Sequence, residues 1–204
     1  MSGFYARYIL PRCLDKACAI GPIEKQRAKI VPLAKGDVLE IGIGSGLNLP
    51  HYDASKVTSI TGVDPDDHIW ARSKTRRGAV SFPVHRIGLS GEDIPRDSNS
   101  ADTVVVTYSL CTIPDPVAAL KEMRRILKPG GEILFCEHGQ APDQKISKWQ
   151  NRMDPFWSKI AGGCHSGRDI PALIQRAGLK IIELQHMYIP GPKVLSYNYW
   201  GRAL

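Results

Sequence analysis

Four acidic residues and a run of glycines carry the clearest chemistry in this 204-residue chain. Glu40 stands two residues before Gly42-Ile43-Gly44-Ser45-Gly46, at the end of the apolar run Val38–Ile41. Glycine there permits positive φ and lets the backbone approach a ligand closely. The loop is expected to open a helix, whose first N–H groups have no partner within the helix. Spacing excludes two common uses of such a loop. A dinucleotide fingerprint needs G-x-G-x-x-G/A, but here the third glycine comes one position early, at Gly46, with Leu47 in its place. No Gly-Lys-Ser/Thr closes the loop, so it is not a P-loop. Glu40 is placed to orient loop amides or to meet a cationic ligand group. Asp64, followed by Pro65, ends the next strand. A carboxylate there can accept both hydroxyls of a ribose. Glu92 and Asp93 form a further acidic pair in the turn Gly91–Pro95.

A second group of reactive types comes later. His138 follows Cys136-Glu137 at a strand end, where an imidazole can take a proton or cap a loop. Cys164 and Arg168 follow in Gly163-Cys164-His165-Ser166-Gly167-Arg168. Cys164 reads as a packed loop thiol with a conceivable substrate role. Arg168 suits either an anionic acceptor group or a loop brace. Trp149, Phe156 and Trp157 have near-helical spacing, which suits core packing or an apolar lid. Tyr5 and Tyr8 sit three apart, on one face if that segment is helical.

These groups need a frame to hold them. Val38–Ile41, Ser59–Val63, Val84–Ile87, Asp102–Thr107 and Glu132–Cys136 read as strands. The β-branched run Thr103–Thr107 suits a strand buried on both faces. Val117, Leu120, Met123, Ile126 and Leu127 have helical spacing, with Pro116 in the first turn and Lys128-Pro129-Gly130-Gly131 as a stop. Alternating strands and helices imply an α/β fold with a mostly parallel sheet. Ile170–Ala177 reads as a helix, and Leu179–Met187 and Leu195–Arg202 as two late strands. The first 36 residues are expected to form one or two helices over the sheet.

Composition sets the outer limits. Apolar residues are 43% and charged residues 23%, which excludes global disorder. The five cysteines are odd in number and form no CxxC pair, so neither a disulfide framework nor a metal site is expected. Free thiols and the lack of a signal-peptide pattern point to the cytoplasm. Lys and Arg total 27 against 20 Asp and Glu, a formal charge of +7. That charge suits acidic partners, and the basic clusters at Arg72–Arg77 and Lys121–Lys128 read as solvated faces rather than a nucleic-acid surface.

Taken in order, Glu40-x-Gly42-x-Gly44-x-Gly46, Asp64, Gly91-Glu92-Asp93, the Asp102 strand and Leu127–Gly131 resemble class I S-adenosylmethionine-dependent methyltransferases. The resemblance covers roughly half the chain, from Asp37 to Glu137. It implies a Rossmann-like, seven-stranded, mostly parallel sheet with helices on both faces and a late antiparallel hairpin. It implies S-adenosyl-L-methionine as cofactor, with S-adenosyl-L-homocysteine as product. By resemblance, Glu40, Gly42, Gly44 and Gly46 lie against the methionine and ribose, and Asp64 with Pro65 takes the ribose. Glu92 and Asp93 meet the adenine, and Thr107, Tyr108 and Ser109 line the methionine side. The implied division is a helical cap over 1–36 and a methyltransferase domain over 37–204, with a substrate-capping insertion at about 138–168.

The Glu137-His138 pair followed by Trp149-Gln150, Pro155-Phe156-Trp157, Gly163-Cys164 and Arg168 resembles one branch. It contains bacterial phospholipid-type methyltransferases and mammalian methyltransferase-like alkyl-thiol methyltransferases. The branch implies S-methylation of a small, fairly apolar thiol, with His138 as the catalytic candidate. Tyr5, Tyr8, Trp149, Cys164 and Arg168 are the substrate candidates. Two alternatives stay open: a phospholipid headgroup N-methyltransferase in weak peripheral contact with a membrane, and a non-catalytic S-adenosylmethionine-binding regulatory protein.

Overall fold

The computed structural model describes residues 9–204. Tyr5 and Tyr8 lie outside the described residues.

Helices α1 (Leu10–Cys18) and α2 (Gly21–Ile30) lead into β1 (Gly36–Ile41). Then come β2 (Val57–Val63), α3 (Asp67–Ala71), α4 (Lys74–Gly78), β3 (Val84–Ile87), β4 (Ala101–Thr107) and α5 (Pro116–Ile126). The chain finishes with β5 (Leu127–His138), α6 (Gln144–Ile160), α7 (Ile170–Arg176), β6 (Ile181–Tyr188) and β7 (Tyr197–Ala203). The seven strands form one sheet in the order β3-β2-β1-β4-β5-β7-β6. Pairings among β1 to β5 are parallel, and β7 runs antiparallel between β5 and β6. This is the expected α/β architecture with its late hairpin.

Each face of the sheet carries its own apolar layer. One holds Leu39, Val104, Val106, Ile133 and Phe135 against α5 and α7, through Leu120, Met123, Ile126 and Ile174. The other holds Val38, Ile60, Val105 and Leu134 against Ile30, Val31 and Ala34. The segment before β1 is thus tied into the second layer. α5 begins under an Asp115 cap, whose carboxylate accepts from the Val117 and Ala118 amides, and it buries Ala119, Leu120, Met123 and Ile126. That is the face its apolar spacing assigns to the core.

Register brings the site together. Ile41 pairs with Val63 on one side and Val106 on the other. The next residues, Gly42, Asp64 and Thr107, therefore leave the sheet side by side at its carboxyl edge. At a switch point of strand order, this edge is where ligands bind in open α/β sheets.

Two expectations are corrected. The glycine loop opens no α-helix: the chain turns through Gly42–Asn48 and then makes a single 3-10 turn at Leu49–His51. The loop amides are taken locally instead. Gly42 and Ile43 N–H donate to the Val63 carbonyl, Gly46 N–H to the Ile43 carbonyl, and Gly44 N–H to Asp64. The second correction concerns Lys128–Gly131, which does not separate α5 from β5. Leu127 already pairs with Ala101, and a register shift follows before Glu132 meets Thr103.

Candidate functional site

At the carboxyl edge lies a cavity of about 640 Å³. Its floor is the strand-end loops Glu40–Ser45, Val63–Asp66 and Thr107–Ser109. Its roof comes from α1 (Leu10, Leu14, Cys18), the end of α6 (Trp157, Ala161, Gly162) and the β6–β7 connection (Ile189–Pro192).

Gly42 shows why the loop is built from glycine. Its φ is +70°, and a Cβ there would stand 2.0 Å from Ser109 Oγ and 2.7 Å from Ser109 Cβ. Asp64 fixes the loop from below. One carboxylate oxygen accepts from Gly44 N–H at 2.9 Å and the other from Asp66 N–H at 2.9 Å. Burial raises its pKa, and those two amide donors oppose the rise. Each oxygen keeps a free lone-pair direction, which is what a vicinal diol needs. Pro65 and Asp66 line the cavity beside it.

Glu40 is fully buried and orients no loop amide. Tyr52 O–H donates to it at 2.7 Å and Asn48 Nδ2 at 3.0 Å. Burial pushes its pKa up to about 7, against those two bonds and the charge of Arg27. Arg27 of α2 completes the group, donating from Nη1 to Asn48 Oδ1 at 2.7 Å and to Thr107 Oγ1 at 2.6 Å. Its guanidinium also lies 5.0 Å from the centre of the Tyr108 ring. Tyr108 has a φ of +51°, unusual for a residue with a side chain. Its hydroxyl donates to Asn198 at 2.6 Å, and its ring stacks on His138 with centroids 6.4 Å apart.

The other end is softer chemically. The donor atoms of Cys111, His138 and Cys164 lie within 4.8 Å of one another. His138 Nε2 is 3.2 Å from Cys164 Sγ, while its Nδ1 is buried with no hydrogen-bond partner. Contact with Cys111 and burial raise the Cys164 pKa, so the thiol stays protonated. Two thiols and an imidazole are donors zinc takes, but a closed structural site needs four. Trp157 Nε1 and Ser196 Oγ, from other cavity-lining residues, are also buried without partners. Glu137 accepts from the Ser109 and Leu110 amides at 2.8 and 3.0 Å, and burial pushes its pKa up to about 7.

The remaining candidates divide. Glu40, Gly42, Gly44, Asp64, Pro65, Glu92, Thr107, Ser109, His138 and Cys164 all line the cavity. Gly46 stands one step back, where its φ of +75° closes the turn against Leu49. Asp93 is exposed and outside the lining, because the turn presents Glu92 instead. Arg168 points away from the cavity and donates to the carbonyls of Leu110 and Ile113, so it braces the segment after β4. Trp149 lies on the outer face of α6, 58% exposed. Its neighbour Gln150 turns inward, holding Ala141 N–H and the carbonyls of Gly139, Ser166 and Val194. Phe156 is 69% exposed, so the α6 aromatics other than Trp157 pack no core.

Sequence reasoning missed Arg27, Asn48, Tyr52, Cys111 and Asp15. Asp15 of α1 accepts from Ser45 Oγ at 2.5 Å and pairs with Arg72 and Arg76, closing α1 over the glycine loop. No local pattern marks these residues, since each acts through a partner distant in sequence. The Arg72–Arg77 cluster was the one available signal: two of its cations serve this clasp, and Arg77 covers the Trp70 ring.

Residues 11–184 match the family model described as Methyltransferase domain. The chain belongs to this family. It is 30% identical over 153 residues to thiol S-methyltransferase TMT1B of Rattus norvegicus, covering 72% of this chain and 62% of that protein. Thiol S-methyltransferase TMT1A of Homo sapiens is 29% identical over 164 residues, 78% of this chain and 66% of the relative. The chain thus spans just under two thirds of the length of these relatives. Phosphatidylethanolamine N-methyltransferase of Cereibacter sphaeroides is 26% identical over 150 residues, 72% of each chain. Among solved structures, a Haloferax volcanii methyltransferase in complex with its Trm112 activator superposes with a TM-score of 0.70 at 17% identity, covering 98% of this chain and 95% of that one. A SAM-dependent methyltransferase of Leishmania major gives 0.71 at 16%, covering 98% and 80%. At such identities the likeness establishes the fold.

Proposed function

We propose that the protein is an S-adenosylmethionine-dependent methyltransferase that methylates a small, fairly apolar thiol. The observation that carries the acceptor is the soft end of the cavity, where His138 has one nitrogen on Cys164 and the other, Nδ1, buried and unpartnered.

The residues present fit the cofactor. Gly42 lets Ser109 pack directly against the loop backbone, Asp64 offers two oxygens held by loop amides beside the cavity, and Glu40 offers a buried carboxylate. Gly42, Gly44 and Asp64 would hold the ribose side, Glu92 the adenine side, and Glu40, Thr107 and Ser109 the methionine side. When bound, the cofactor supplies a methyl group on a sulfonium with a neutral leaving group. The chain then has to align and to dry. Leu10, Leu14, Ile23, Trp157 and Leu195 exclude water from the acceptor end. His138, which lines the cavity, is the group that would accept the proton a thiol must lose to become a good nucleophile, with its ring turning to present a nitrogen to the acceptor.

The Cereibacter relative supports a second reading, N-methylation of a phospholipid headgroup. A panel of alkyl thiols, amines and phosphatidylethanolamine with a labelled methyl donor separates the two. The expected result is label on thiols and its loss, by about 10²- to 10⁴-fold in kcat, in His138→Gln. The readout specific to proton transfer is the pH profile: in His138→Gln the residual rate should climb with hydroxide instead of reaching a plateau. Label on amines or lipids alone would refute the thiol reading.

A further inference from the structure

The outer face of α6 is at odds with a helix that simply covers the sheet. Trp149 and Phe156, 58% and 69% exposed, are two large aromatics turned to solvent. At 3.6 residues per turn, positions 149 and 156 lie within about 20° of arc of each other. Lys145, Lys148, Arg152 and Lys159 fill the adjoining sector of about 60°, and all four are exposed. Among the described residues their side chains make no hydrogen bond or ion pair. The one acid of the helix, Asp154, faces elsewhere and is paired with His165 at 2.6 Å. The opposite side of α6 is anchored by buried Gln150.

This face adjoins the cavity. One turn of α6 carries Phe156 outward and Trp157 into the cavity lining. α6 ends at Ile160, and Gly162 just beyond it lies against Leu10 and Leu14 of α1, which form part of the roof.

We propose that the Trp149–Phe156 face of α6 docks on an anionic phospholipid membrane, with its cationic row at the headgroups and its aromatics at the acyl boundary. Charge decides between occupants. A second copy would bring the same four cations against their own equivalents across a two-fold axis, which is repulsive. An anionic bilayer meets both halves of the face at once: cations attracted by the surface potential and aromatic rings of the kind favoured at the interface. A fairly apolar acceptor dissolved in the bilayer would then lie beside the cavity roof. The docking goes beyond methyl transfer and does not depend on which acceptor is used.

Cosedimentation with phosphatidylcholine vesicles, with and without phosphatidylglycerol, tests this at low and high salt. The protein should pellet with the phosphatidylglycerol vesicles at low salt and be released by high salt. Trp149→Ala/Phe156→Ala should weaken partitioning at least about tenfold, and Lys148→Glu/Arg152→Glu should do so independently. Both pairs are exposed, so thermal unfolding should match the parent. Methylation of a water-soluble thiol serves as a separate readout, since neither pair lines the cavity. Failure to pellet with anionic vesicles, or equal pelleting by the parent and both variants, would overturn the proposal. So would light scattering that shows a dimer dissolved by Trp149→Ala/Phe156→Ala.

Discussion

At the scale of single residues, the site is a set of buried polar groups whose partners are mostly inside the protein. Asp64 keeps capacity for a ligand, because each of its oxygens retains an open direction beside the cavity. Asp64→Ala should weaken S-adenosylhomocysteine binding by about tenfold or more, seen as loss of most of the ligand-induced thermal shift. An unchanged shift removes Asp64 from the site. Glu40 gives a pH prediction. Its pKa lies at about 7 instead of 4.5, so the empty site carries a proton at pH 6. A cationic ligand nearby favours the ionised form and expels that proton, so affinity for S-adenosylmethionine should rise from pH 6 to pH 8. Calorimetry on the parent and Glu40→Gln checks it; matching pH slopes would sever the link. The ligand-free protein should behave in the opposite sense. A carboxyl group with a raised pKa stabilises the fold below its unfolded value and loses that contribution as pH rises through the folded value. Glu40 and Glu137 are both displaced upward to about 7, so thermal stability without ligand should fall between roughly pH 5 and pH 8.

At the scale of elements, two connections hold the roof of the cavity. Gln150 ties α6 to the segments at 139–141, 166 and 194 through four hydrogen bonds. Gln150→Leu leaves those buried backbone groups unpaired and should cost roughly 2–4 kcal/mol of stability, measured by urea unfolding. Asp15 ties α1 to Ser45, Arg72 and Arg76. Asp15→Ala should speed release of S-adenosylhomocysteine in stopped flow while leaving the fold intact; an unaltered off-rate would make α1 a passive cover. The strands and α5 were legible in the sequence because one period, two or 3.6 residues, matches one buried face. Hydrogen bonds closed by chance neighbours were not legible. The glycine loop read as a helix start, yet its amides go to Val63 and Asp64. Trp149-Gln150 read as one motif, yet the two side chains face opposite ways. The Arg168 alternatives, acceptor contact or brace, differ only in where one guanidinium ends, and the carbonyls of Leu110 and Ile113 decided it.

At the scale of the whole molecule, strand order brings Gly42, Asp64 and Thr107 to one edge, and the elements outside the alternating core cover that edge. The covering elements mark the soft, apolar end, while the sheet supplies the polar end. No described helix is long and apolar enough to cross a membrane. The most direct test of the account is a crystal structure with S-adenosylhomocysteine bound. The ribose hydroxyls should meet the Asp64 carboxylate, the backbone of Gly42–Gly44 should lie along the nucleoside, and the sulfur should face the space in front of His138 and Cys164. A ligand seated elsewhere, or ribose hydroxyls that do not meet Asp64 at saturating ligand, would contradict it.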